Sequence, residues 1–97
     1  MKPQFLITIE PSRADLDATM GVEEQRVVGE HFEYLKHLHG KGVVLFAGRT
    51  TDEKNMRGLI VVMAADKAAA RALLEADPAV QAGIFRGRVE DFLVVLK

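Results

Sequence analysis

Three short segments of this chain are apolar at consecutive positions, and this feature restricts the possible folds more than any other. In Phe5–Ile9, Val43–Ala47 and Leu59–Ala64, apolar side chains occupy almost every position, odd and even alike. Successive side chains of a β-strand point to opposite faces of its sheet. A sheet built from these segments must therefore be covered on both faces.

Two segments between the strands have a helical pattern. In Val22–His39 a helical pattern places one set of residues within a stripe roughly 140° wide, which predicts an amphipathic helix with one buried face. The stripe consists of Val27, Leu38, His31, Leu35, Val28 and Phe32. Gly40-Lys41-Gly42 ends this helix with a cation and glycines at its carboxyl end. Asp66 is placed as the N-cap of a second helix, which ends at Asp77-Pro78 because the residue before proline is disfavoured in the α region. The inward stripe of the second helix is Ala69, Ala70, Leu73 and Leu74.

The remaining segments complete a β-α-β-β-α-β order. Thr50–Arg57 links the second and third strands as a hairpin loop, Pro78–Ala82 forms one more helical turn, and Val89–Leu96 is predicted as the last strand. Ser12–Gly21 is polar without a period and is predicted as a loop, either functional or mobile. The order predicts one α+β domain over residues 1–97, with ferredoxin-like topology and a four-stranded antiparallel sheet.

A homodimer follows from the strand pattern. Two helices cover one face of a four-stranded sheet, whereas these strands are apolar on both faces. The cover that the sequence itself guarantees for the other face is a second copy of the chain. Packing of sheet on sheet then gives a dimeric α/β barrel. In the alternative, these positions are exposed β-branched residues of a monomer.

Composition excludes several classes of function. The 13 basic and 14 acidic residues give a net charge of -1, so we expect neither nucleic acid nor an anionic membrane surface as a partner. The chain has no cysteine, which excludes disulfides, thiolate zinc sites and thiol catalysis. Its apolar start is too short for a signal peptide or a membrane span, so we expect a cytoplasmic protein.

No cofactor or metal is expected either. Gly83–Gly87 precedes a strand, whereas a phosphate-binding glycine loop would precede a helix. His37 lies on the wet face of the first helix, and His39 lies about 12 Å along the helix axis from His31. The three histidines therefore cannot share one metal ion.

His31 and Asp77 are the residues best suited to acid-base chemistry. His31 lies inside the apolar stripe of the first helix, so its imidazole faces the sheet and needs a partner for at least one nitrogen. Asp77 lies at a helix end, where its carboxylate could reach into a cleft. Position alone leaves two alternatives open: His31 as a satisfied core histidine, and Asp77 as the N-cap of the turn that begins at Pro78.

Three motifs in this order resemble the YCII-like (YciI-like) family. They are His31-Phe32-Glu33-Tyr34-Leu35, then Gly42 with Leu45-Phe46-Ala47-Gly48, then Ala76 to Ile84 around Asp77-Pro78, and the similarity extends from about Glu30 to the C-terminus. The resemblance implies a small dimeric α/β-barrel protein in which His31 and Asp77 face a shared cleft as the active pair. It also implies kinship with a dehydrochlorinase that acts on a substituted hydroquinone.

Two further residues are candidates for substrate binding. The family often has proline after the Ala-Gly of the second strand, where this chain has Arg49, whose planar fork could bind a carboxylate or phosphate. The alternative is an exposed loop arginine. Tyr34 flanks the apolar stripe and could line the pocket, although a partly buried tyrosine with a wet hydroxyl is the commoner case.

Two functions fit these residues. One is a cofactor-free acid-base enzyme of lyase, isomerase or hydrolase type, in which His31 moves a proton on a small aromatic or enolisable molecule and Asp77 orients it. The other is a non-catalytic dimer that binds a small ligand or serves as an accessory module in a pathway. The sequence predicts the position of a site better than it predicts a reaction.

Overall fold

The computed structural model of this protein describes residues 3–97, and for Asp17 the backbone only. These residues form four strands and four helices. In chain order they are β1 (Gln4–Pro11), α1 (Leu16–Thr19), α2 (Val22–Gly40), β2 (Val44–Arg49), β3 (Gly58–Met63), α3 (Lys67–Glu75), α4 (Pro78–Gln81) and β4 (Phe85–Phe92).

The strands form one antiparallel sheet in the order β2-β3-β1-β4. The two central strands are β1 and β3, which pair from Gln4↔Met63 to Ile9↔Gly58. The first and last strands of the chain are neighbours, and β2 pairs only with β3. This confirms the predicted α+β class and ferredoxin-like topology.

One face of the sheet carries the main core. Phe5, Ile7 and Ile9 of β1 pack with Ala70 and Leu74 of α3, and all five side chains are at most 5% exposed. Their neighbours in β3, Ile60 and Val62, are buried on the same face. A second cluster lies where α2 meets α4 and consists of Leu16, Val27, Ala79 and Ile84. The helices therefore cover one face of the sheet, as the stripes of α2 and α3 predict.

Strand β4 differs from its predicted range of Val89–Leu96. It begins at Phe85, which pairs with Pro11 of β1, and it ends at Phe92. Its first half alternates charged residues with glycine, which is unlike a buried strand but suits an edge strand whose side chains point to water. The apolar residues that follow lie outside the strand, where Val95 is 80% and Leu96 is 92% exposed.

The segment predicted as a loop, Ser12–Gly21, contains the short helix α1. Leu16 of α1 is 4% exposed and packs in the second core cluster. Two guanidinium nitrogens of Arg13 donate to the two carboxylate oxygens of Glu24, over 2.8 and 2.9 Å. Arg13, together with the Gly21 backbone N–H, lowers the pKa of Glu24 to about 2. The segment is therefore fixed to the first turn of α2 by Arg13 and to the second core cluster by Leu16.

The helix ends follow the sequence signals. Asp66 caps α3 by accepting a hydrogen bond from the Ala69 backbone N–H over 2.8 Å. The chain leaves α2 through Lys41 and Gly42, and Gly42 has a φ of 77° that disfavours other residues. Among residues 3–97, no helix combines the length and the apolar character that a membrane crossing requires.

Candidate functional site: a buried histidine-aspartate pair beside an apolar cleft

His31 lies in the middle of α2 with its imidazole turned towards the sheet. The residue is 4% exposed. Its ring contacts two aromatic rings edge-on, with centroid distances of 5.4 Å to Phe32 and 5.2 Å to Phe85. The α2 stripe thus holds the imidazole between a residue of its own helix and the first residue of β4.

Asp77 lies between α3 and α4 and is 2% exposed. Its Oδ1 accepts a hydrogen bond from the Ala79 backbone N–H over 2.9 Å, which caps α4. Its Oδ2 lies 2.5 Å from Nδ1 of His31. The same carboxylate therefore caps a helix and contacts the histidine.

The partner at Nδ1 determines which tautomer His31 adopts. A carboxylate only accepts hydrogen bonds, so Nδ1 carries the proton and donates it to Asp77. In the neutral ring, Nε2 then has a free lone pair. Among the side chains of residues 3–16 and 18–97, none hydrogen-bonds Nε2, and the atom is not fully buried. Nε2 is therefore open to the cleft that His31 lines.

The cleft lies between α2 and the β2 side of the sheet and has a volume of about 880 Å³. Clefts of about 300–1,000 Å³ hold drug-sized ligands in other proteins. Its walls are mainly apolar. The apolar residues that line it include Ile9, Leu16, Met20, Val28, Phe32, Leu35, Val44, Phe46, Met56, Ile60 and Phe85. An apolar molecule of the size of a benzene ring fits such walls.

Of the two predicted substrate-binding residues, one lines this cleft. Arg49, at the end of β2, lies on its wall. Tyr34 is outside the cleft lining; its hydroxyl donates to the Leu73 carbonyl over 2.6 Å, and its ring lies beside a small void that Asp77 also borders. The tyrosine hydroxyl is thus used between α2 and α3 rather than exposed to water.

The chain also matches a known protein family. The family model of the YCII-related domain matches residues 3–92. The chain belongs to the YCII-related family. This shows the relationship that the His31 and Asp77 motifs indicated, and it extends the similarity from Glu30 back to Pro3.

A solved structure has the same fold as this YCII-related chain. It is 5-chloro-2-hydroxyhydroquinone dehydrochlorinase (TftG) from Burkholderia phenoliruptrix AC1100, in complex with 2,5-dihydroxybenzoquinone. The two share a TM-score of 0.69 and 23% sequence identity, and the match covers 93% of each chain. No curated protein sequence matches the chain.

Two residues of the cleft were not predicted as site residues from the sequence. Lys36 and His39 line it beside His31, because α2 turns every third or fourth residue to the same side. The helical spacing of residues 28, 32, 35, 36 and 39 places them on the same side of α2, but Lys36 falls outside the apolar stripe. Among residues 3–97, no group of three or more histidine or carboxylate side chains is arranged to hold a metal ion.

Tyr34 gives a spectroscopic test of this arrangement. Burial, and to a smaller extent the nearby negative charge of Asp77, raises the pKa of Tyr34. We therefore expect phenolate absorbance to appear at a higher pH in the folded protein than in the urea-unfolded chain, whose tyrosine ionises near pH 10. The folded-state pKa lies above the unfolded one, so this contribution to stability is present below about pH 10 and is lost as the pH rises through the folded pKa.

The measurement is an absorbance titration. Tyr34 is the only tyrosine and the chain has no tryptophan, so the signal belongs to one residue. In Asp77→Asn the titration should move towards the unfolded value, because the carboxylate charge is gone while burial remains. Identical titrations of the folded and unfolded chains would contradict the arrangement.

Proposed function

We propose that this YCII-related protein is a cofactor-free acid-base enzyme that acts on a small aromatic or enolisable molecule. The observation that carries the proposal is the buried contact of 2.5 Å between His31 Nδ1 and Asp77 Oδ2, beside an apolar cleft. A histidine oriented by a carboxylate is a common general base, because the carboxylate fixes the tautomer and stabilises the imidazolium.

The proposed step is a proton transfer to Nε2. Nε2 takes a proton from a carbon next to a carbonyl, either in an enolisable molecule or in the keto tautomer of a hydroquinone, and the positive charge that forms on the imidazole is stabilised by Asp77. In an elimination, the electron pair of the broken C–H bond forms the new π bond as a leaving group departs with its own pair. In an isomerisation, the imidazolium returns the proton to another atom of the same molecule.

The ligand of TftG supports a ring-shaped substrate. That relative is a dehydrochlorinase by name, and its structure holds 2,5-dihydroxybenzoquinone. In this chain the rings of Phe32 and Phe85 flank the imidazole edge-on. A flat ring stacked among these side chains would present its edge to His31.

The test is proton exchange in deuterated water. We expect the protein to accelerate deuterium incorporation into a hydroquinone or an enolisable ketone, and chloride release from a chlorinated hydroquinone, both followed by NMR. Binding of these compounds at His31 without exchange or elimination would instead support the alternative, a non-catalytic module for a small ligand. Absence of binding at His31 would remove both functions.

We further propose that the protein works as a homodimer. The sheet face opposite the helices carries Leu6, Val61 and Leu59 on β1 and β3. Val61 is already buried within the single chain, whereas Leu6 is half-buried. Leu59 remains 37% exposed and Phe46 of β2 50% exposed. A second sheet would cover this apolar surface.

Light scattering tests the dimer. At micromolar concentration we expect twice the chain mass of 10.7 kDa. Leu59→Glu, which places charge on this face, should shift the mass towards that of one chain. A single-chain mass for the unmodified protein would contradict the dimer and leave the acid-base proposal unaffected.

A further inference from the structure

Three formally charged side chains line the cleft, and two of them are compensated by neighbours. Glu10 Oε1 accepts from Nε of Arg86 over 2.9 Å. Lys36 Nζ lies 3.5 Å from Glu33 Oε1. The third, Arg49, has no carboxylate within ion-pair distance among the side chains of residues 3–16 and 18–97. Within that part of the chain, Arg49 is therefore an uncompensated positive charge on the wall of the cleft.

The contact that Arg49 does make is weak. Its Nη1 donates to the thioether sulfur of Met56 over 3.6 Å, and a thioether is a poor acceptor. Within the described residues its other guanidinium N–H groups have no side-chain acceptor. In the sheet, Arg49 is paired with Gly58, which is paired with Ile9 on the helix-covered face. The arginine side chain thus starts from the face on which the cleft lies.

We propose that the substrate carries a carboxylate and that Arg49 binds it. This deepens, and rests on, the proposed function, and it narrows the substrate class to small aromatic or enolisable carboxylic acids. The guanidinium fork matches the two oxygens of a carboxylate in a bidentate arrangement. His31 is on α2 and Arg49 on β2, so the ring of the substrate lies between the base and the anion-binding residue.

The charge balance favours a carboxylate over a phosphate. One guanidinium compensates a single negative charge. A phosphate dianion would leave a second negative charge uncompensated in a cleft that already has the Asp77 carboxylate behind its wall. The N-terminal end of α2, which could bind a phosphate, has Glu23 and Glu24 in its first turn.

The experiment compares two ligands that differ by one carboxylate. Dissociation constants for hydroquinone and 2,5-dihydroxybenzoate are measured from amide chemical shifts at low ionic strength. We expect the carboxylated compound to bind about 10-fold to 100-fold more tightly, as charge-assisted hydrogen bonds allow. Added salt should reduce the difference, because the site is open to solvent.

Arg49→Gln is the decisive variant. It should remove most of the preference for 2,5-dihydroxybenzoate and leave the affinity for hydroquinone unchanged. Arg71→Gln is the matched control, because it removes the same charge from an exposed position on α3 outside the cleft. It should retain the preference. The amide spectra of both variants report whether the fold is intact.

The outcomes separate this inference from the function on which it rests. If hydroquinone binds beside His31 and the carboxylate adds no affinity, or if the preference survives in Arg49→Gln, the carboxylate assignment is wrong and the acid-base proposal stands. If neither compound shifts the amides around His31, both proposals are wrong.

Discussion

Asp77→Ala should lower the free energy of unfolding by about 2–4 kcal/mol, because one substitution removes two contacts. The Ala79 backbone N–H loses its cap, and loss of a cap costs about 0.5–2 kcal/mol. The buried Nδ1 of His31 loses its only partner within residues 3–97, and an unsatisfied buried donor costs about 1–3 kcal/mol. Urea unfolding followed by circular dichroism measures the sum.

Asp66→Ala separates the two contributions. Asp66 also caps a helix through its side chain, but it is exposed and contacts no histidine. This variant should therefore lose about 1 kcal/mol, the cost of the cap alone. Equal losses in Asp66→Ala and Asp77→Ala would show that the contact with His31 contributes nothing to stability.

His31→Gln should lower the rate of proton transfer by about 100-fold to 10,000-fold, the range that a general base contributes. The amide of glutamine can donate to Asp77 in place of Nδ1, so the helix packing is retained. It has no basic nitrogen to replace Nε2. The measurement is deuterium incorporation or chloride release under the conditions proposed above.

Two variants make this prediction specific. His37→Gln replaces an exposed histidine of the same helix that lies outside the cleft lining, and it should retain the wild-type rate. Asp77→Asn should fold, because the amide oxygen can still accept from Ala79, but its NH₂ group would face Nδ1 and favour the tautomer with the proton on Nε2. That ring cannot act as a base at Nε2, so the rate should fall almost as far as in His31→Gln.

Nitrogen chemical shifts of the imidazole report the tautomer directly. In the wild type we expect the proton on Nδ1, and in Asp77→Asn on Nε2. A wild-type rate in His31→Gln would end the catalytic role of the histidine. A wild-type rate in Asp77→Asn, with the tautomer shown to be reversed, would mean that Nε2 is not the base.

Most of the fold was predictable because local patterns and burial agree. The apolar runs of β1 and β3 and the stripe of α2 lie where the sequence places them. The N-terminal half of β4 was not predicted as a strand, because its backbone pairs with β1 while its charged side chains, such as Arg86 and Arg88, face water. Phe85 is the one large apolar residue of this half, and a single apolar residue gives no hydrophobic period from which a strand could be predicted.

The site was predictable in part. The stripe of α2 indicated that His31 points inward, and the family resemblance indicated Asp77 as its partner. The contact itself joins residues 46 positions apart and depends on how α4 docks on α2, which no local pattern specifies. Tyr34 was predicted as a residue that could line the pocket. Its hydroxyl instead donates a hydrogen bond to the Leu73 carbonyl, a backbone group that the pattern of side chains does not reveal.

The two carboxylate oxygens of Asp77 make different contacts, and these contacts determine which substitutions positions 31 and 77 can tolerate. One oxygen serves the fold and the other serves the histidine. Under the acid-base function proposed above, a descendant that lost the chemistry could replace His31 only by a residue that still donates to the buried Oδ2, and it would still need an acceptor at position 77. Among relatives, loss of the histidine with retention of the aspartate would then mark lineages without the proposed proton transfer.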